Sequence, residues 1–372
     1  MNHKLSTFTA AAKAYAYPRQ VGYLIYYVTN RCNFRCPFCF YSDEIEKGLK
    51  PDEMTLAEIE RFARSIGPLA QLSLTGGEVF VRKEAAEIAE LFLDHTQARY
   101  LTIPTNASLT DRMVAFLERL LPRYPGTYFR VTFSIEGIGD DHDHARRVPG
   151  SYDKIIKSYH ALTPLRRAFP NLTVDANSVF TAESEDRLLD TMNHLDQAFE
   201  FDNLSVTYAR GDVPDPALKK VSEQKYRAID AALRQMKRTT ERRSLYWLWR
   251  GARDASRDML MESVFDEKFV APCVAGRKLV VVSETGDVYP CEILDRNKFR
   301  LGSLRDYDWD LGRLMQDPAT RSIQDWIVET KCKCSWECSN AANIVWNPSQ
   351  YPRLLRESIR NVGSGPSAGP PE

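Results

Sequence analysis

The chain has 372 residues, enough for one large domain and a smaller one. Its 50 lysines and arginines balance its 50 aspartates and glutamates, so the overall charge gives no reason to predict a nucleic acid or an anionic membrane as a partner. No stretch approaches the roughly 18 consecutive apolar residues that a membrane span requires. We therefore predict a soluble, cytoplasmic protein.

The eight cysteines fall into two groups, three near the start of the chain and five between Cys273 and Cys338. The first twenty residues contain no apolar core of signal-peptide length, which argues against a secreted, disulfide-bonded protein. In a cytosolic enzyme, cysteines grouped in this way indicate metal binding more than disulfides.

The first group, Cys32, Cys36 and Cys39, directly follows the apolar run from Tyr23 to Val28. This placement predicts a metal site at the carboxyl end of a strand. An iron-sulfur cube held by three cysteines keeps one iron free to bind another ligand. A zinc knuckle would need a fourth ligand at a comparable spacing, and the loop supplies none. The same three cysteines would also fit a disulfide with one cysteine over, or a set of buried apolar thiols.

This loop, with Phe38 before its last cysteine, resembles the Cys-x3-Cys-x2-Cys motif of the radical S-adenosylmethionine (SAM) superfamily. The resemblance implies a 4Fe-4S cluster whose open iron binds SAM. It also implies that one electron from the cluster cleaves SAM to a 5′-deoxyadenosyl radical, which abstracts hydrogen from a substrate carbon. An electron donor such as flavodoxin or ferredoxin would be a partner.

Short β-rich runs alternate with longer stretches of helical periodicity between about residues 22 and 208. The strands are predicted at residues 23–29, 72–75, 100–104, 128–135, 172–180 and 204–208, and the helices at 56–66, 83–95, 111–121, 152–168 and 184–199. Strand followed by helix in repeated units requires parallel strands with right-handed crossovers. Six units are too few for a closed barrel of eight strands. The predicted fold is therefore α/β, a partial (β/α)6 TIM-like barrel, which is also the fold that the family resemblance implies.

Two motifs follow the second and third predicted strands. Gly76, Gly77 and Glu78 match the family motif that contacts the methionyl amino group of SAM. The role suits these residues, since two glycines allow the backbone to approach a ligand closely and a carboxylate accepts a hydrogen bond from an ammonium group. Without the resemblance, Gly-Gly-Glu is usually just a turn. Asn106 stands where many relatives have Thr-Asn-Gly, and is either a cofactor contact or a helix cap.

The fourth predicted strand leads into Ser134-Ile135-Glu136-Gly137, and Arg146 follows Ser134 by twelve residues. This stretch resembles the Ser-Leu-Asp-Gly…His-Asp-x-x-Arg pattern of the subfamily with SPASM or twitch extensions, with Glu136 replacing the usual Asp. The resemblance implies that Ser134 and Arg146 contact the ribose and the methionyl carboxylate of SAM. Arg147 is an alternative to Arg146 in that role. His142 and the neighbouring His144 are more typical of a solvated capping turn than of a metal site.

Residues 213–270 break the strand-helix rhythm and are predicted to form a helical linker. Within them, the basic and aromatic run of residues 237–250 could dock on anionic lipid or on a nucleic-acid strand. A helix whose aromatic face packs on the barrel while its charges stay in water explains the same run and is favoured.

The second cysteine group opens with Cys273 and Cys291, which flank the Thr-Gly-Asp turn of a predicted hairpin. It continues with Cys332, Cys334 and Cys338. The spacing resembles the SPASM and twitch extensions of the family and implies one auxiliary 4Fe-4S cluster, with four ligands and one cysteine over. The favoured ligand set is Cys273, Cys291, Cys334 and Cys338, which leaves Cys332 structural or a hydrogen-atom donor. A four-cysteine zinc site is the rival.

Glu292 directly follows Cys291, at a position where some peptide-oxidising relatives carry an acid that acts as a base. A carboxylate there could take the proton that leaves when a carbon radical is oxidised. An ordinary exposed acid in a hairpin is the equal alternative.

The resulting domain assignment is an amino-terminal extension (1–20), a radical SAM partial barrel (21–212), the helical linker (213–270), a SPASM/twitch-like auxiliary-cluster domain (271–346), a closing helix (347–362) and a disordered tail (363–372). We predict a radical SAM oxidoreductase or maturase. Its substrate is either a peptide that is oxidised or cross-linked, or a sugar or other small metabolite that is dehydrogenated, epimerised or rearranged. The alternative is a non-enzymatic iron-sulfur or zinc scaffold.

Overall fold

The strands form one open sheet in the computed structural model, which describes residues 20–48, 52–236, 246–333 and 335–362. Six parallel strands lie in the sheet in their sequence order, so each crossover joins neighbours. Their bounds are β1 Tyr23–Tyr27, β2 Gln71–Thr75, β3 Tyr100–Thr105, β4 Tyr128–Ser134, β5 Leu172–Phe180 and β6 Asn203–Tyr208. The predicted α/β class and the open six-unit barrel are confirmed.

Three further strands extend the same sheet beyond β1. They are β7 Leu279–Val282, β8 Asp287–Tyr289 and β9 Gly302–Ser303. Strand β7 pairs parallel to β1, with Tyr23 opposite Leu279, whereas β8 and β9 add antiparallel neighbours. The hairpin that carries Cys291 therefore continues the barrel sheet, with β1 as the shared strand.

Helices connect the parallel strands and follow the hairpin. Their bounds are α1 Ser42–Glu46, α2 Leu56–Ile66, α3 Ala85–Thr96, α4 Thr110–Leu120, α5 Asp140–Arg146, α6 Ser151–Ala168, α7 Leu188–Ala198, α8 Glu223–Gln235, α9 Tyr246–Val264, α10 Leu311–Leu314, α11 Pro318–Glu329, α12 Glu337–Trp346 and α13 Tyr351–Asn361. Local sequence explains the boundary at α2, where Thr55 and Glu58 form a reciprocal capping box. The buried face of α2 then repeats at helical spacing through Ile59, Phe62 and Ile66.

The alternation of side chains along the parallel strands separates an apolar layer from a polar lumen. Leu72 and Leu74 of β2 belong to the main core under the helices, whereas Ser73 and Thr75 line an internal cavity of about 620 Å³. The same alternation places small polar side chains of the other strands in the lumen, namely Thr102, Thr132, Ser134, Asn177, Ser205 and Thr207.

Helix α12 crosses the open side of the barrel between β6 and β1. At its start, the carboxylate of Glu337 accepts a hydrogen bond from the backbone N–H of Tyr208, with an N···O distance of 2.8 Å. At its end, the ring of Trp346 lies against Gly22, where an added Cβ would come within 2.5 Å of the ring atom Cζ2. Helix α9 lines the lumen beside it, through Trp249 and Arg253.

Several sequence predictions fall outside the residues that the structure describes. These are residues 1–19, most of the basic run (237–245), Cys334 and the tail 363–372. Among the described residues, no helix is both long and apolar enough to cross a bilayer.

The contact between Gly22 and Trp346 predicts a stability effect. Gly22→Ala places a methyl group 2.5 Å from the indole ring, so the end of α12 must shift. We expect the free energy of unfolding, measured by urea denaturation, to fall by about 1 to 3 kcal/mol, the usual cost of overpacking.

Replacing the ring by a smaller side chain in the double variant Gly22→Ala/Trp346→Leu should restore part of that loss. Gly312→Ala is the matched control, because an added Cβ there meets only a side-chain oxygen of Asp310 at 3.1 Å. Equal unfolding free energies for wild type and Gly22→Ala would contradict the proposed closure by α12.

Candidate active site

The three amino-terminal cysteines lie on one loop beyond the carboxyl end of β1. The thiol of Cys32 accepts a hydrogen bond from the backbone N–H of Phe34 at 3.3 Å. The guanidinium Nη1 of Arg146 lies 3.5 Å from the sulfur of Cys36, whose residue is 8% exposed. The loop therefore offers hydrogen-bond donors and a positive charge to thiolates.

Burial, with a smaller contribution from neighbouring thiols of the same loop, raises the pKa of Cys32 to about 12 and that of Cys39 to about 11. Unliganded, these thiols are protonated at neutral pH, so a bound metal centre would displace their protons. Among the described residues, no three cysteine, histidine or carboxylate side chains converge as ligands of a single ion. A cubane differs from a single ion because each thiolate binds a separate iron, and three cysteines on one loop match its chemistry.

The two glycines after β2 pack directly against the backbone that leads into the cysteine loop. An added Cβ would lie 2.2 Å from the carbonyl oxygen of Thr29 at Gly76, and 2.2 Å from that of Arg31 at Gly77. Gly76 also has a φ of +142°, which side chains rarely adopt. Both positions therefore require glycine for packing, because a side chain at either one would prevent the loop after β2 from lying against the loop after β1.

Glu78 is nearly fully buried, at 2% exposure, beside the same loop. Its carboxyl group accepts from the hydroxyl of Thr105 and the backbone N–H of Asn106, both at 2.8 Å, and from the backbone N–H of Phe80 at 3.2 Å. Burial raises its pKa above the ordinary value, and these three donors oppose that rise. The side chain of Asn106 in turn donates to Asn33 of the cysteine loop at 2.8 Å. Its own oxygen accepts from the backbone N–H of Ser108 at 3.0 Å, which closes a turn. Asn106 does not cap α4, because the residue before that helix is Leu109 and no side chain among the described residues caps its first turn.

Glu136, the unusual residue of the fourth motif, holds Arg146 in place. The Nη2 of Arg146 donates to Glu136 at 2.5 Å, and the other carboxylate oxygen accepts from the backbone N–H of Val179 at 2.6 Å. The guanidinium carbon lies 5.2 Å from the ring centre of Phe38. Arg146 thereby contacts two predicted site residues, Cys36 and Phe38, together with Glu136. Arg147 instead points to His144 at the surface. Ser134 lines the lumen below them.

The prediction that His142 lies in a solvated turn is wrong. His142 is completely buried, not solvated, and its Nδ1 accepts from the backbone N–H of Glu136 at 3.1 Å. Burial, reinforced by the charge of Arg146, lowers the pKa of His142 to about 3, so the ring is neutral at physiological pH. His142 therefore supports the backbone at Glu136.

The described cysteines of the second group share an apolar cluster with the inward face of β1. Burial raises the pKa of Cys291 to about 12, with Cys273 and Cys332 adding to it. Burial, followed by the smaller effect of Cys273, raises the pKa of Cys332 to about 11. The structure therefore brings Cys332, the residue predicted to be spare, close to Cys273 and Cys291.

Cys338 faces the lumen, unlike the other described cysteines of this group. Its pKa is raised to about 11 by burial and then by Glu292, and its thiol interacts with Tyr23. It lines the lumen, whereas the next residue on α12, Ser339, contacts Cys273 at 3.1 Å between Oγ and Sγ.

Glu292 also lines the lumen, and its side chain is only 6% exposed, which excludes the alternative of an ordinary exposed acid. Its two oxygens accept from the hydroxyl of Tyr27 at 2.6 Å and from Arg210 at 3.0 Å. The same guanidinium donates to Glu337 at 3.0 Å. Burial raises the pKa of Glu337, against the effect of Arg210.

Sequence reasoning missed Arg210, Glu337 and Tyr27. The available signal was positional, because Arg210 follows the carboxyl end of the sixth predicted strand, where barrel enzymes carry functional side chains. Glu337 precedes Cys338 directly, and Tyr27 ends β1.

Comparison with known proteins supports the assignment of the barrel. A family model described as the radical SAM superfamily matches residues 26–195. The GTP 3′,8-cyclase of Haemophilus influenzae (strain PittEE) is 35% identical over 101 residues, which are 27% of this chain and 30% of that protein. The GTP 3′,8-cyclase of Peptoclostridium acidaminophilum is 34% identical over 157 residues, which are 40% of this chain and 46% of that protein. The chain thus spans less than half the length of these relatives.

Two solved structures resemble the whole fold. One is native anSMEcpe with bound AdoMet and Cp18Cys peptide, with a TM-score of 0.58, 16% identity, and coverage of 92% of this chain and 98% of that one. The other is Streptococcus suis SuiB bound to precursor peptide SuiA, with a TM-score of 0.56, 19% identity, and coverage of 86% of this chain and 70% of that one. At such identities the likeness concerns the fold.

The family match begins within β1 and includes the cysteine loop, the Gly-Gly-Glu motif and the segment that carries Arg146. These are the residues that the structure gathers at the carboxyl ends of the first four strands. The chain therefore contains a radical SAM domain over residues 26–195.

Proposed function

We propose that the chain cleaves SAM reductively at the cysteine loop and abstracts hydrogen from a substrate held in the barrel lumen. The observation that carries this proposal is the convergence of Cys36, Arg146 and Glu136 with Phe38 at the upper end of the cavity. A 4Fe-4S cluster on Cys32, Cys36 and Cys39 would supply the electron for cleavage.

The protein's own groups would bind and orient SAM. Arg146 carries a fixed positive charge beside the loop, suited to a carboxylate. Glu78 is buried and already oriented by Thr105 and Asn106, so it can accept from an ammonium group without reorganisation. Ser134, Gly76 and Gly77 remain proposed contacts.

For the second cysteine group we propose an auxiliary 4Fe-4S cluster in which Cys273, Cys291 and Cys332 take part. All three belong to one apolar cluster, and Cys273 and Cys332 both raise the pKa of Cys291, which supports the choice. Cys334 remains a proposed fourth ligand, and the competing set replaces Cys332 by Cys338.

Glu292 is proposed as the proton acceptor of the reaction. It lies in the lumen with Arg210 and Tyr27 fixing its two oxygens, so it faces a bound substrate in a defined orientation. Arg210 acts through Glu292 and is a positioning residue.

Two substrate classes remain. Both solved neighbours contain peptides, which favours post-translational modification of a peptide. The curated relatives are GTP 3′,8-cyclases, which favours rearrangement of a small metabolite. Peptide oxidation would make the chain a maturase or oxidoreductase, with flavodoxin or ferredoxin as the proposed electron donor.

Cys36→Ala tests the primary site. We expect anaerobically reconstituted wild type to hold about eight irons per chain, and the variant about four. Under strong reductant, wild type should form 5′-deoxyadenosine from SAM, and the variant should form none, because one of the three thiolates of the loop is lost. Liquid chromatography measures the product, and wild type that leaves SAM intact would refute the proposal.

Paired serine variants of the second group decide the auxiliary ligands. Cys332→Ser should lose about four irons, whereas Cys338→Ser should retain about eight, because Cys338 faces the lumen. Iron analysis and electron paramagnetic resonance of the reduced proteins measure the difference. The opposite pattern would restore the ligand set favoured by the sequence.

Arg210→Met tests the ionic bridge. The variant leaves two neighbouring buried carboxyl groups without their cation, so the free energy of unfolding at pH 7.5 should fall by about 3 to 5 kcal/mol.

The pH dependence of that loss has a definite sign. Removing the cation raises the folded-state pKa of Glu337 further above its unfolded value, and such a group destabilises the fold as pH rises through the folded pKa. The variant should therefore recover stability at pH 5, and the double variant Arg210→Met/Glu337→Gln should depend less on pH. A loss that is the same at both pH values would contradict the bridge.

A further inference from the structure

The lumen runs the whole length of the barrel. Its lining includes Ser134 and Arg210, at the carboxyl ends of the strands, and also Gln71, Tyr100 and Asn203, at the amino ends. Because the strands are parallel, the amino ends lie opposite the cysteine loop. The six residues of β6 alone separate the two ends by about 17 Å, at about 3.3 Å per residue.

Aromatic side chains border the far end of the lumen. Trp249 of α9 lines it while 41% exposed, so this end lies near solvent. The indole ring packs edge-on against Tyr100, with ring centres 5.1 Å apart, and Tyr100 stacks on Tyr128 at 5.5 Å.

Guanidinium groups reach the same end from two helices. Arg253 and Arg257 follow Trp249 at helical spacing on α9, and Arg166 comes from α6. Of the acids that pair with them, Asp202 lines the lumen and lies 3.3 Å from Arg166.

The carboxylates that pair with Arg257 lie outside the lining. They are Asp230 and Asp254, each 2.7 Å from a guanidinium nitrogen. The ion pair of Arg130 on β4 and Asp175 on β5 also lines this end, and Asp175 lies opposite Asn203 in the sheet. Four guanidinium groups and two carboxylates thus line the far end, which leaves cations in excess among the lining side chains.

Asn203 supplies a second indication of a ligand. It is 7% exposed and lines the lumen, and its Oδ1 accepts from Arg253. Its Nδ2 donates to no acceptor within the described part of the chain. A buried N–H without an acceptor is costly, and an oxyanion at the far end would satisfy it.

We propose that the far end of the lumen, around Asn203 and Arg253, binds an oxyanion of the substrate, a carboxylate or a phosphate. This inference rests on the proposed function, since it makes the substrate an elongated molecule whose anionic end lies roughly 17 Å from the reacting end. An extended peptide of about five residues spans that length at about 3.3 to 3.6 Å per residue.

Binding of small anions to the reconstituted, oxidised full-length protein tests the subsite. Succinate and pyrophosphate are titrated separately by calorimetry, which distinguishes a carboxylate from a phosphate site. In parallel, 5-fluorotryptophan labelling reports the environment of Trp249 by fluorine NMR, with Trp249→Phe identifying its signal. We expect at least one anion to bind with one site per chain and to shift that signal.

Asn203→Asp keeps the side-chain shape but adds a negative charge, so it should weaken anion binding by at least about tenfold, the loss of one charge-assisted contact. Arg253→Gln should act in the same direction and guards against a folding defect in the first variant. Arg64→Gln, on the exposed face of α2, is the matched control and should bind as wild type does.

Three results would overturn the subsite: no anion binding to wild type, equal binding by Asn203→Asp and Arg64→Gln, or binding that leaves the Trp249 signal unmoved. None of these measurements requires SAM cleavage. Failure of the subsite is therefore distinguishable from failure of the proposed function, which 5′-deoxyadenosine formation reports.

Discussion

Arg210 is the cation on which the junction between the barrel and the carboxyl-terminal part depends. Its guanidinium lies between Glu292 of the hairpin and Glu337 of α12, and Glu337 also binds the backbone at the end of β6. Burying two carboxylates alone would be strongly unfavourable, and one shared cation with further hydrogen bonds offsets much of that cost. Such an arrangement gains little stability over apolar packing, but it fixes geometry. Here it holds the segment after Cys291 and the segment before Cys338 at defined positions around the lumen.

Strand β1 explains why two cysteine groups can share one protein core. Leu24 and Tyr26 point into the apolar layer under the helices, while Tyr23 and Tyr27 point to the other face. That second face contacts both cysteine groups, since the first group follows β1 and the hairpin with Cys291 is the continuation of the sheet beside it. A one-residue slip of β1 would exchange these faces, so the register of β1 against β2 and β7 is strongly specified.

Sequence predicted what local patterns determine. Helix α2 and strand β5 occupy the predicted residues, because periodicity, a capping box and β-branched runs act within a few residues. The cysteine loop was also accessible, since its spacing is local. The pairing of β7 with β1 was not, because it joins residues more than 250 positions apart and no local pattern reports it. The role of Arg210 could not be predicted for the same reason, because it exists only when Glu292 and Glu337 come together in space.

The open lumen follows from residue choice as much as from strand number. In a closed barrel, layers of Val, Ile and Leu fill the interior. Here the inward positions carry side chains such as Ser73, Thr132 and Asn177, which are too small and too polar to fill the space between them. Water or a polar ligand satisfies such groups better than apolar packing does, so the cavity persists. Six strands do not close the barrel, and α12 covers the side that stays open. This helix brings Glu337 and Cys338 into the polar lumen. The same helix therefore completes the wall and supplies functional groups, because successive residues on a helix point about 100° apart and send Cys338 to the lumen but Ser339 to Cys273.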